Sequence, residues 1–172
     1  MQIANQKNLY PTSSLNNTNN VHLYLEQAVA FPKKHVLQRY MRDRSLPRQV
    51  AQEHEAEFCR FIAIHAAFPM HRFGMRGPVD GYWHTFLLFT QSYQQFCQQV
   101  VQKFVHHTPA QGGSERTEEI QRYSLFLRMY KDAFGESAPA EVWPRLHSNT
   151  VHDGTEECGA EGCDAAGGCD PI

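Results

Sequence analysis

Residues 77–109 read GPVDGYWHTFLLFTQSYQQFCQQVVQKFVHHTP, and the periodicity of this stretch decides the fold. Pro78 suits the first position of a helix, where its missing N–H is no loss and its fixed φ is already helical. From there Val79, Trp83, Phe86, Thr90, Tyr93, Cys97, Val100 and Phe104 recur at steps of three and four, the spacing of one helical face. Tyr82, Phe89 and Phe96 widen that face. The pattern fits one long helix or two helices broken near residues 89–92, with Thr90, or Ser92 together with Gln95, capping the second. The broken form is expected.

Working outward, the flanking segments repeat the helical period. Leu25, Ala28 and Val29 mark a helix over residues 21–31 that Pro32 limits, and Val36, Leu37, Tyr40 and Met41 mark a short second one. Pro47 opens a third, over residues 47–68, whose apolar face is Val50, His54, Phe58, Phe61, His65 and Phe68, with Gln49, Gln52, Glu53 and Arg60 on the solvated side. A Pro- and Gly-bearing loop, PMHRFGMRGP, separates it from the central stretch. Beyond Gly112 and Gly113 a helix is expected over residues 114–134, with Ile120, Tyr123, Leu127, Tyr130 and Phe134 as its core face and Gly135 as its stop. Trp143, in a short turn over residues 140–146, is expected to close the core. Nothing alternates with period two for long enough to make a strand. The reading is all-α: a compact bundle of about four to six helices over residues 21–146. A disordered polar tail at 1–20 and a disordered acidic tail bearing Cys and Gly at 147–172 are expected to flank it.

Composition narrows the function classes. The formal net charge of −2 gives no electrostatic footprint for nucleic acid. No apolar run is long enough to span a membrane and no secretory leader precedes the domain, so the chain reads as cytoplasmic. Cys59 and Cys97 fall on helical stripes and read as buried, reduced thiols. No G-x-S-x-G, Walker A loop, G-x-G-x-x-G or H-E-x-x-H occurs.

Chemistry is concentrated in two places. Asp80 and His84 are four residues apart and meet on a helix surface, on the side away from the aromatic stripe. That side either faces solvent or lines a cleft under another element. In the simplest case Asp80 favours the helix N-terminus and bonds His84. In the sharper case the two supply an oxygen and a nitrogen to a divalent metal such as zinc, with His106 or His107, or else His65 or His71, completing the site. His106 and His107 precede Thr108-Pro109, where the backbone is biased to extended geometry. Neighbouring side chains then diverge, so at most one of the pair is expected to join a given site while the other caps a helix C-terminus, and a structural role for both stands beside that reading. His54 and His65 read first as core histidines with hydrogen-bonded partners. The second place is the tail, where Cys158, Cys163 and Cys169 are spaced C-x4-C-x5-C. This differs from the C-x2-C pair of a zinc ribbon. It suits a soft ion wrapped by flexible thiols, a modification substrate, or a plain solubilising tail.

Val79, Asp80, Trp83 and His84, followed by Phe89, Thr90, Tyr93, Phe96 and Cys97 and then by His106, His107 and Pro109, resemble the glycine-rich-domain-containing-protein-like family. Its hallmark is a V/I-D-x-x-W-H core, and bacterial members continue to His-His-x-Pro and end in a Gly- and Cys-bearing tail. The likeness covers about residues 55–146. It implies a helical domain and names no reaction. Gly81 departs from what a helix favours, at a cost of ~1 kcal/mol relative to Ala, and points to a loosened first turn or to close approach of another segment. Three functions follow, in order. The first is a small intracellular protein that binds a divalent metal or a protein partner through the region of Asp80, His84, His106 and His107. The second is a metal-dependent or His-based hydrolase or modifying enzyme. The third is a substrate whose tail cysteines are modified.

Overall fold

The computed structural model describes residues 13–107 and 115–146. In chain order these form α1 (Ser13–Ala30), α2 (Lys34–Arg44), α3 (Arg48–Ala67), α4 (Pro78–Leu87), α5 (Thr90–Phe96), a π-helical turn (Cys97–Val101) and α6 (Glu115–Phe134). There is no strand among the described residues, and the expected all-α bundle is the fold. The backbone of α1 is already helical at Ser13, inside the stretch expected to be tail. None of the described helices is long and apolar enough to cross a membrane.

The axis of the bundle is α3, which packs against α1, α2, α4 and α6. Its burial corrects the expectation of a single apolar face. His54, Phe58 and Phe61 are buried as expected, but so are Ala51, Glu57, Cys59, Ile62, Ala63, Ile64, Ala66 and Ala67. A helix enclosed on most sides is apolar on most sides, and the small Ala residues let its neighbours approach. Arg60, expected on the solvated side, is half-buried and reaches Glu57 at 2.8 Å.

Two charges sit inside this core because their hydrogen bonds are satisfied there. Glu57 accepts from the Trp143 indole N–H at 2.7 Å, from Arg60 at 2.8 Å and from the Tyr130 hydroxyl at 3.2 Å. Trp143 does close the core, with its ring 4.5 Å from that of Phe126. Lys33 is 5% exposed and donates to the carbonyls of Ala28 at 2.7 Å and Phe31 at 3.2 Å. Its ammonium therefore caps the carbonyl end of α1, where a cation is favoured.

The chain does break between α4 and α5. Leu88 and Phe89 close α4 with tight bonds to Thr85 and Phe86, and Phe89 turns the chain at φ −95°, ψ 59°. No side chain caps α5, so neither Thr90 nor Ser92 plays the expected role. The break also changes which residues face inward: Thr90 is exposed and Phe104 is 45% exposed, whereas Val79, Trp83, Phe86, Tyr93, Cys97 and Val100 are buried.

The loop before α4 is fixed at two glycines. Gly77 has φ +80°, and a Cβ there would lie 2.6 Å from the Val142 carbonyl oxygen and 2.7 Å from Pro144 Cδ. At Gly74 a Cβ would lie 2.9 Å from the Tyr123 backbone nitrogen. Only residues without a side chain let this loop press against α6 and the segment after it, and this sets where α4 begins.

Candidate metal centre

Asp80 stands in the first turn of α4 and His84 one turn later, so helix geometry alone brings them together. His84 Nδ1 lies 3.2 Å from Asp80 Oδ2. The start of α4 is anchored from below by Tyr40, whose hydroxyl donates to the Pro78 carbonyl at 3.1 Å. That hydroxyl has one hydrogen, so it accepts from His54 Nδ1–H at 2.9 Å. His54 is thus the core histidine expected, and burial lowers its pKa. At Gly81 α2 comes close: a Cβ there would stand 3.2 Å from Arg44 Nη2 and 3.7 Å from Tyr40 Cε2. The tightest of these contacts is with the end of the flexible Arg44 side chain, so it does not by itself require glycine.

The third residue arrives from the far side of the break. After the π turn, Gln102 adopts a left-handed conformation at φ +61°, and the chain doubles back over α4. The Tyr93 hydroxyl holds it there, donating to the Val105 carbonyl at 2.6 Å and accepting from the Trp83 indole N–H at 3.0 Å. Burial pushes the pKa of Tyr93 up, so the hydroxyl keeps the proton that this bond needs. Two residues on, His107 Nε2 meets Asp80 Oδ1 at 2.8 Å, with its ring edge-on to Trp83 at 4.6 Å and 4.3 Å from the His84 ring.

One carboxylate and two imidazoles therefore converge, and one ligand atom from each of Asp80, His84 and His107 lies within 4.8 Å of the others. Ligands around a tetrahedral zinc with ~2.0 Å bonds stand ~3.3 Å apart. The two Asp–His separations, 3.2 and 2.8 Å, run to different oxygens of Asp80 and are hydrogen-bond distances. The Asp80, His84 and His107 side chains are 35%, 49% and 9% exposed, so the group is held on its inner side and open on its outer side.

His106 does not join. It is exposed, with its ring against Phe104 at 4.8 Å, as the divergence of neighbouring side chains before a proline requires. His65 and His71 lie apart from the cluster and line the same cleft, of about 560 Å³, into which Asp80 and His84 open. Cys158, Cys163 and Cys169, like Pro109, lie outside the described residues. The described cysteines are inert: Cys59 and Cys97 are buried free thiols, and burial pushes Cys59 up to about 11 and raises Cys97. Sequence reasoning missed Tyr93 as the residue that positions His107. Its place on the apolar stripe was visible, but the target of its hydroxyl was not.

A family model described as UCP032817-like matches residues 21–133. The chain belongs to the UCP032817-like family. The span that matches this family takes in Asp80, His84 and His107, and also Tyr93 and Trp83, which hold the returning chain. No curated protein and no solved structure matches the chain.

Proposed function

We propose that the protein binds a divalent first-row transition metal, zinc foremost, through Asp80, His84 and His107. The observation that carries this is the convergence of two imidazole nitrogens, from elements on either side of a chain reversal, on the two oxygens of one carboxylate. Imidazole and carboxylate together suit zinc, iron and their neighbours. On binding, the ion takes the place of the hydrogens that His84 Nδ1 and His107 Nε2 share with Asp80, and each neutral ring carries its proton on the other nitrogen. Three protein ligands would leave a bound ion at least one further coordination position. An open position is the arrangement in which zinc activates water, which keeps a hydrolytic role as the second reading. The tail thiols are a separate proposal, a soft-metal or modification site. The likeness of the W-H and H-H-x-P residues to the glycine-rich-domain-containing-protein-like family fits either reading of the domain.

The test is elemental analysis of untagged protein carrying Cys158→Ser, Cys163→Ser and Cys169→Ser, so that tail thiols do not contribute. One equivalent of metal, with a melting temperature that drops in chelator, is expected. Less than a tenth of an equivalent after incubation with excess zinc, about the scatter of a trace contaminant, together with an unchanged melting temperature, would discard the proposal, because an ion bound only to the native state must stabilise it.

A further inference from the structure

The cleft beside the three ligands has a definite chemical character. Its volume of about 560 Å³ falls in the range of small-molecule sites, ~300–1,000 Å³. Phe73 and Phe104 line it over the buried rings of Phe61 and Trp83, and three cations, Arg72, Lys103 and Arg122, stand around it. Two carboxylates, Asp80 and Glu119, line the cleft with them. Asp80 is engaged by two imidazoles, and Glu119 is paired with Arg76 at 3.3 Å. Arg122 is paired with Glu118 at 2.6 Å. Among the described residues Arg72 and Lys103 have no acidic partner, and both are exposed. An aromatic floor, unpaired positive charge and an open side of a metal centre meet in one space.

We propose that this cleft binds a small aromatic carboxylate, its ring against Phe73 and Phe104 and its carboxylate held by Arg72, Lys103 and the ion on Asp80, His84 and His107; the inference rests on the metal reading above. The charge excludes a cationic ligand. The rings discriminate against inorganic phosphate, which buries no apolar surface, and acetate, which buries only a methyl group. His65 adds a polar contact on the wall. Its Nδ1 is sealed and has no partner, which leaves Nε2 as the nitrogen an occupant can reach, and burial lowers the pKa of the ring so that it meets the ligand neutral.

Cobalt(II) serves as the probe ion in the full-length chain with the three tail cysteines replaced by serine, since its visible spectrum reports both binding and a change of ligand. Cobalt bands should appear on loading and shift on addition of benzoate. Benzoate should bind at least about tenfold more tightly than acetate or phosphate, the margin expected for burying a ring, and benzylamine should leave the spectrum unchanged. Arg72→Ala with Lys103→Ala, both on exposed positions, should weaken benzoate about tenfold or more while cobalt affinity and circular dichroism stay the same. If cobalt does not bind, the metal reading and this one fall together. If cobalt binds and benzoate is silent, or phosphate binds as well as benzoate, or the double variant binds benzoate unchanged, this inference alone is overturned.

Discussion

The contrast between His106 and His107 is the sharpest residue-scale feature of the molecule, since adjacent imidazoles have unrelated surroundings. His107 is 9% exposed on its side chain and touches Asp80, His84 and Trp83, while His106 is exposed and packs on Phe104. His107→Asn is therefore expected to lower zinc affinity by about 100-fold or more, the loss of a ligand exceeding the 10–100-fold typical of an outer-shell change. His106→Asn should leave affinity within about twofold by the same reasoning. Competition titration against a chromophoric chelator separates the two, and equal losses would place the site elsewhere. Tyr93→Phe tests the residue that positions His107. It removes the hydroxyl between the Val105 carbonyl and the Trp83 N–H and leaves both buried groups short of a partner, at a cost of about 1–3 kcal/mol. It should also weaken zinc about tenfold, as outer-shell changes do. A purely structural Tyr93 would lower the denaturant midpoint and leave zinc affinity alone.

Among the elements, α4 depends most on what precedes and follows it. Gly77→Ala places a Cβ within 2.7 Å of both Val142 O and Pro144 Cδ at a positive φ, so it must move the loop or the segment carrying Trp143. A loss of about 2–4 kcal/mol is expected from backbone strain and overpacking together, measured by urea unfolding. Gly135→Ala is the internal control: it shares a positive φ, at +72°, but has nothing within 4 Å of its Cβ, so its loss should be smaller, about 1–2 kcal/mol from strain alone. The helices themselves were legible because three- and four-residue spacing survives without knowledge of tertiary contacts; the break was expected from Thr90, or Ser92 with Gln95, as caps, and it occurs at Phe89 without either. Asp80 with His84 could be read because i and i+4 always meet on a helix. His107 could be narrowed only to a pair, because the choice rests on the left-handed turn at Gln102 and on the Tyr93 bond to Val105, neither of which has a local signal. The all-round burial of α3 and the inward placement of Glu57 and Lys33 were not legible. A charged residue is usually at the surface, and only the surrounding helices decide which one is enclosed with partners.

At the scale of the whole molecule, the fold stacks its histidines in two environments, and the buried ones make stability depend on pH. His54 is 7% exposed, with Tyr40 of α2 at its Nδ1 and the charge of Glu53 acting against the effect of burial. His65 lies between Phe61 and Phe73, with the charge of Lys103 nearby. In both, burial holds the folded pKa below its ordinary value of 6.5. Between the depressed folded value and 6.5 the unfolded chain binds more protons than the folded one, so stability rises with pH through that window and is lost as pH falls through it. Above 6.5 neither ring distinguishes the two states. The melting temperature should therefore be level above about pH 7 and fall toward about pH 5, the range in which imidazoles titrate. The slope should be shallower in His54→Gln and shallower again when His65→Gln is added. NMR titration of the two rings in the folded protein should give midpoints below 6.5. Midpoints at or above that value would overturn this account of the pH dependence.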